Sequence, residues 1–111
     1  MAETLPRDDN NVPLQNVFST INDGRQTVTT AGTRVQLSST STASKRIDIT
    51  AETDNTGFIV VGGANVVATL ATRRGIPLAA GESYTFYITN LNKVYLDSTV
   101  STDGVTYVYF D

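Results

Sequence analysis

The chain has 111 residues, the size of one domain, and carries 8 Lys and Arg against 11 Asp and Glu for a net charge of −3. It contains no His and no Cys. That excludes Ser-His-Asp and Cys-His catalysis, zinc or haem ligation by those residues, and disulfides. It holds 18 Thr, 12 Val and 8 Ser but only 3 Glu and 2 Lys, a composition that suits pleated strands and not helix surfaces. Only 17% of residues are charged, against about 25% in a typical soluble domain. Part of the surface is therefore expected to be covered by partner protein, where charges are costly to desolvate. The basic residues are scattered, with Lys45-Arg46 and Arg73-Arg74 as the adjacent pairs, so nucleic acid is not expected as a partner.

Residues 1–24 read as an extended N-terminal arm. Pro6 and Pro13 bias the residues before them to extended backbone, and Leu5, Val12, Leu14, Val17, Phe18 and Ile21 are spaced along the segment. Within it Leu5, Pro6, Arg7, Val12, Pro13, Leu14 and Phe18 are candidate partner-binding residues. Met1–Thr4 lacks the basic and apolar regions of a secretory signal, so synthesis in a cytoplasm is expected. The longest apolar run, Phe58–Val61, is too short to span a bilayer, and no membrane partner is expected.

Residues 25–111 read as a strand-and-turn domain. Gln26–Ala31, Arg34–Ser38 and Lys45–Ala51 come first, the last with clean alternation through Ile47 and Ile49. Asp54–Gly57 is a turn. Phe58–Val61 then leads into Gly62-Gly63, which predicts a two-residue hairpin onto a strand over Ala64–Thr72. Gly75–Glu82 reads as a loop. In Ser83–Thr89, Tyr84, Phe86 and Ile88 are expected inward and Tyr87 outward. Asn90–Asn92 turns the chain into Lys93–Ser98, with Val94 and Leu96 on one face and Tyr95 and Asp97 on the other. Thr102–Gly104 marks a hairpin before Val105–Phe110. Eight short strands with regular turns indicate an all-β fold, a single β-sandwich of jelly-roll-like type, with a small barrel as the alternative.

Without His or Cys, chemistry falls to carboxylates, Lys, Ser, Thr and Tyr. Most Asp residues sit in turns, where they usually cap their own backbone. A calcium site near Asp97 and Asp103 is conceivable in type, but no Asp-x-Asp/Asn-x-Asp/Asn-Gly loop is present. No catalytic residue, metal or cofactor is expected. Tyr87 and Tyr95 are the outward tyrosines, with Tyr107 or Tyr109 as further candidates; such residues anchor protein interfaces or stack on sugars.

Three further runs carry a resemblance. Asn55–Val66 (NTGFIVVGGANV), Gly75–Ser83 (GIPLAAGES) and Asn90–Asp97 (NLNKVYLD) occur in that order, followed by Gly104–Tyr107. Together with the opening Leu5–Pro13 (LPRDDNNVP), this order resembles small virion-structural proteins of tailed bacteriophages. The resemblance implies a capsid-associated or tail-associated structural role and supplies no catalytic residues. The expectation is a capsid decoration (cement) protein on the virion surface. Its partners would be the major capsid protein and neighbouring copies of itself, with a trimer as one arrangement. A tail or head–tail component is the alternative, and a carbohydrate-binding module of a fibre tip is the second.

Overall fold

The computed structural model describes residues 17–111. Alternation separates core from surface most clearly in the strand Arg46–Ala51, where Ile47, Ile49 and Ala51 are buried and Arg46, Asp48 and Thr50 are half-buried. In chain order the strands are β1 (Ile21–Thr27), β2 (Val35–Gln36), β3 (Arg46–Ala51), β4 (Ile59–Gly62), β5 (Ile76–Leu78), β6 (Ser83–Phe86), β7 (Tyr95–Ser98) and β8 (Gly104–Phe110). Single 3-10 turns lie at Leu70–Thr72 and Leu91–Lys93.

The strands form two four-stranded sheets, β1-β8-β3-β6 and β2-β7-β4-β5, all antiparallel. The pairing is nested: β1 with β8, β2 with β7, β3 with β6 and β4 with β5. Apart from β4 and β5, consecutive strands lie in opposite sheets, so the chain wraps around its own core. That core includes Val28, Leu37, Ile47, Ile49, Ile59, Val61, Leu91, Val94, Leu96 and Val105. Each such side chain contributes roughly 1.5–3 kcal/mol on burial. Phe86, Ile88, Tyr107 and Tyr109 pack against it from the rim.

Several sequence expectations change. The sandwich begins at Ile21, so Ile21–Gly24 belong to β1 and not to the arm; all seven residues of β1 pair with β8. The strand expected over Gln26–Ala31 ends at Thr27. Gly62-Gly63 does not form a two-residue hairpin, and neither glycine has positive φ. The connection from β4 runs through 63–75, and the partner strand is β5, inside the segment read as a loop. Gly75 carries the left-handed conformation instead, at φ +113°. Tyr84, expected inward, is exposed at the outer strand β6 and meets Phe86 edge-on at 4.9 Å.

The reason Ala64–Thr72 is not a strand is visible in its hydrogen bonds. Part of its backbone is taken up by side chains, two from far along the chain and one just past the segment: Ala68 N–H donates to Asp97 Oδ2 (2.8 Å), Arg34 Nη1 donates to Val66 C=O (3.0 Å) and Arg73 Nε to Ala68 C=O (3.0 Å). Backbone groups so occupied do not need a ladder partner. Val66 and Ala68 are pressed onto Val60 and Tyr95, forming a second, smaller core on the outer side of β2-β7-β4-β5. Val67 and Arg74 exchange two backbone bonds of 3.0 Å, which close the segment on itself.

Two buried carboxylates hold these loops. Asp97, read as outward, is 2% exposed. Its Oδ1 accepts from Gly32 N–H (3.0 Å) and Ser98 N–H (2.9 Å), in addition to the Ala68 bond on Oδ2. Asp103 accepts from Thr56 N–H (3.2 Å) and Gly57 N–H (2.9 Å), so it caps a distant turn and not its own backbone. Asn55 pairs reciprocally with Gly104, donating at 2.9 Å and accepting at 3.0 Å, as a strand residue would.

Candidate docking surface

The outer face of β1-β8-β3-β6 is built by parity. Ile47, Ile49, Tyr107 and Tyr109 turn inward, so the intervening residues turn out. Register then arranges them in cross-strand rows. Ile21, Phe110 and Arg46 form one row, continued by Tyr87 just past β6. Asp23, Val108, Asp48 and Thr85 form the next. Arg25, Thr106, Thr50 and Ser83 form the third.

The first row is apolar and aromatic. Phe18 stacks on Phe110 with centroids 5.5 Å apart and planes tilted by 37°. The Arg46 guanidinium lies 5.5 Å from the Phe110 centroid and 6.0 Å from that of Tyr87, bridging the two rings. Arg46 Nε is held 3.1 Å from Asp48 Oδ1, which also accepts from Thr85 Oγ1. The guanidinium is thus fixed over the rings by the neighbouring row. Tyr87 (69%), Ile21 (66%) and Val17 (64%) remain widely exposed. Ser19 and Thr20 N–H both donate to Asp111 C=O, at 2.8 and 2.9 Å, which fastens the entering chain beside the strip. The result is a band of Val17, Phe18, Ile21, Phe110, Arg46 and Tyr87 across the sheet.

The third row is polar. Arg25 grips Glu52 with Nε–Oε1 at 2.7 Å and Nη2–Oε2 at 3.3 Å, and this hydrogen bond and charge raise the Arg25 pKa further. Thr50 and Ser83 hydroxyls meet at 2.7 Å. A shallow concavity of about 460 Å³ lies here, lined by Arg25, Thr50–Asp54 and Thr106. A second, of about 230 Å³, lies between Gly63–Val66 and Arg74-Gly75. Among the described residues no three acidic side chains gather as a metal site. Asp97 and Asp103 direct their oxygens to backbone amides instead.

Of the sequence candidates, Phe18 and Tyr87 come together at the two ends of the aromatic strip. Tyr95 does not join them. It is half-buried on the other sheet, beneath the 63–75 segment, packed with Val60, Val66 and Ala68. Tyr87 and Tyr95 therefore form no common stacking platform. Tyr107 and Tyr109 turn inward as well; Tyr107 lies over Gly24, whose missing side chain makes room for the ring. Leu5, Pro6, Arg7, Val12, Pro13 and Leu14 lie outside the described residues. Ile21, read in the sequence as a spaced apolar residue of the arm, Arg46, read as one of a scattered basic pair, and Phe110 are not among the sequence's candidate contacts. The signal for them was parity: once Ile47 and Ile49 face the core, the β3–β8 register turns Phe110 and Arg46 out together. Comparison of the chain with protein-family models, curated proteins and solved structures finds no match.

Proposed function

We propose that this chain is a structural protein of a tailed-bacteriophage virion, a capsid decoration protein that binds the outer shell and ties neighbouring capsomers together. The observation that carries the reading is the band of Val17, Phe18, Ile21, Phe110, Arg46 and Tyr87. It is centred on the held Arg46 guanidinium, with Val17, Ile21 and Tyr87 exposed and Phe18, Phe110 and Arg46 half-buried. Aromatic and Arg residues of this kind anchor protein interfaces. The band includes Phe18, close to the first described residue of the chain. The nested pairing of β1 with β8 through β4 with β5 supports a jelly-roll reading of the sandwich. The order of the strand and turn motifs, similar to that of phage virion proteins, supports the same assignment. The mechanism is additive: each copy supplies one modest interface, and many copies on a symmetric shell reinforce it.

The test is co-sedimentation of the full-length protein with shells assembled from the major capsid protein. Saturable binding in a simple ratio to capsid subunits is expected. Tyr87→Ala and Phe18→Ala should each weaken it by roughly tenfold or more. Absence of shell binding, with about six or twelve copies per purified particle by quantitative mass spectrometry, would move the protein to the tail or head–tail junction.

A further inference from the structure

The sandwich has four edge strands, and β1 differs from the other three. β2 has two residues, β5 has three including Pro77, and β6 has four, whereas β1 has seven with no proline and no lysine. Short strands, prolines and charged side chains are the usual ways of blunting an edge, and of these β1 has only the last, as one residue of each sign, Asp23 and Arg25.

Hydrogen-bond alternation shows which backbone groups β1 leaves open among the described residues. Thr20 N–H donates to Asp111 C=O at 2.9 Å, and Asp111 N–H donates to Thr20 C=O at 3.2 Å, so these two residues are a doubly bonded pair. Antiparallel ladders alternate. Asn22, Gly24 and Gln26 therefore bond β8, and Ile21, Asp23, Arg25 and Thr27 turn their N–H and C=O groups to the edge. One observation checks this parity: Thr27 N–H is taken by the Gln26 side chain, to Oε1 at 2.9 Å, and not by β8.

A second β1 laid antiparallel along this edge must pair odd residues with odd residues to form bonds. Centring the pair on Asp23 or on Arg25 sets like charges against each other. Centring it on Gly24 aligns all seven residues. Asp23 then faces Arg25 of the partner subunit, Arg25 faces Asp23 of the partner subunit, and Asn22 faces Gln26 of the partner subunit. The strand is self-complementary in that one full-length register. Arg25 is prepared for it: Glu52 uses Nε and Nη2, and Nη1 has no hydrogen-bond partner among the described residues.

We infer that β1 is a homodimer seam, in which two copies related by a two-fold axis join their β1-β8-β3-β6 sheets into one continuous eight-stranded sheet. The Asp23–Arg25 pairs exchange both backbone bonds, and Ile21 N–H reaches Thr27 C=O of the partner subunit while Gln26 keeps Thr27 N–H. The two-fold makes the interface isologous and closed, so no fibre grows from it. The inference does not depend on the virion role. A single-strand seam buries less than the ~1,200 Å² of a standard interface, so a dissociation constant on the order of 10⁻⁴ M is expected.

Sedimentation velocity of the full-length chain from about 10 µM to about 1 mM tests it. A monomer–dimer equilibrium is expected, and amide exchange at Asp23 and Arg25 should slow several-fold as concentration rises. Asp23→Arg alone and Arg25→Asp alone each set like charges across the seam and should weaken it tenfold or more. An equimolar mixture of the two variants should dimerise again, because each copy then supplies what the other lacks. Asp23→Pro removes an edge N–H without touching the bonds to β8 and should also give a monomer. Wild-type protein that stays monomeric, sediments as a trimer, or dimerises unaffected by Asp23→Arg and Asp23→Pro overturns the seam.

Discussion

The outer faces of the two sheets are handled in opposite ways. On β2-β7-β4-β5 the chain covers itself: the 63–75 segment buries Val60, Val66 and Ala68, and Asp97 fastens it through the buried Ala68 amide. On β1-β8-β3-β6 the described residues leave Ile21, Tyr87 and the Phe18–Phe110 stack at the surface. Both faces carry apolar outward residues. The difference is that one has found its cover within the chain, and the other carries an apolar strip that the described residues leave uncovered, the strip proposed above as the docking surface. Stability should therefore depend on the first face and binding on the second.

The sharpest way to break that division is Asp97→Ala. Removing the carboxylate orphans the buried Ala68 and Ser98 N–H groups and leaves that of exposed Gly32 to water; each buried donor left unpaired costs about 1–3 kcal/mol. A loss of about 3–5 kcal/mol by urea denaturation is expected. Hydrogen exchange over 66–74 should accelerate first. Gly75→Ala should cost about 1–3 kcal/mol: φ is +113°, and a Cβ there would sit 2.7 Å from Val60 Cγ1.

On the other face, Tyr87→Ala and Ile21→Ser should change unfolding free energy by less than about 0.5 kcal/mol while weakening shell binding. A large stability loss from either would show that this face, too, is structural. Arg46→Ala should cost up to about 1 kcal/mol, since its ring contacts and its half-exposed pair with Asp48 are individually weak.

The smallest effect concerns Tyr107. Burial, and then the neighbouring Tyr109, raise its phenol above the ordinary value of about 10. A raised pKa means the folded state favours the protonated phenol. That contribution is fully present below about pH 10 and is lost as pH rises through the folded value. Urea midpoints should therefore fall more steeply in that range for the wild type than for Tyr107→Phe.

Legibility in the sequence followed locality. Alternation through Ile47 and Ile49 placed β3 within a residue, because a period of two is a property of adjacent residues. The 63–75 segment was misread for the same reason. Val66, Ala68 and Leu70 alternate like a strand, yet Asp97 and Arg34, each about 30 positions away, take up backbone groups of the segment, and Leu70 ends 77% exposed. Of the candidate contacts, Phe18 and Tyr87 share one strip, and Tyr95 lies beneath a loop that nothing near it in the chain announces.

Composition and local pattern were enough to establish a β protein without histidine or thiol side chains, with strands set by alternation and turns set by Asp, Asn and Gly. Those properties depend on composition and on neighbours one or two residues apart. Which face of each strand is covered, which carboxylates are buried and which edge the described residues leave open were settled by packing. Each of those depends on residues tens of positions away: Asp97 meeting Gly32 and Ala68, Asp103 meeting Gly57, Phe110 meeting Phe18. Packing brings such pairs together through the fold as a whole, and no local pattern encodes them.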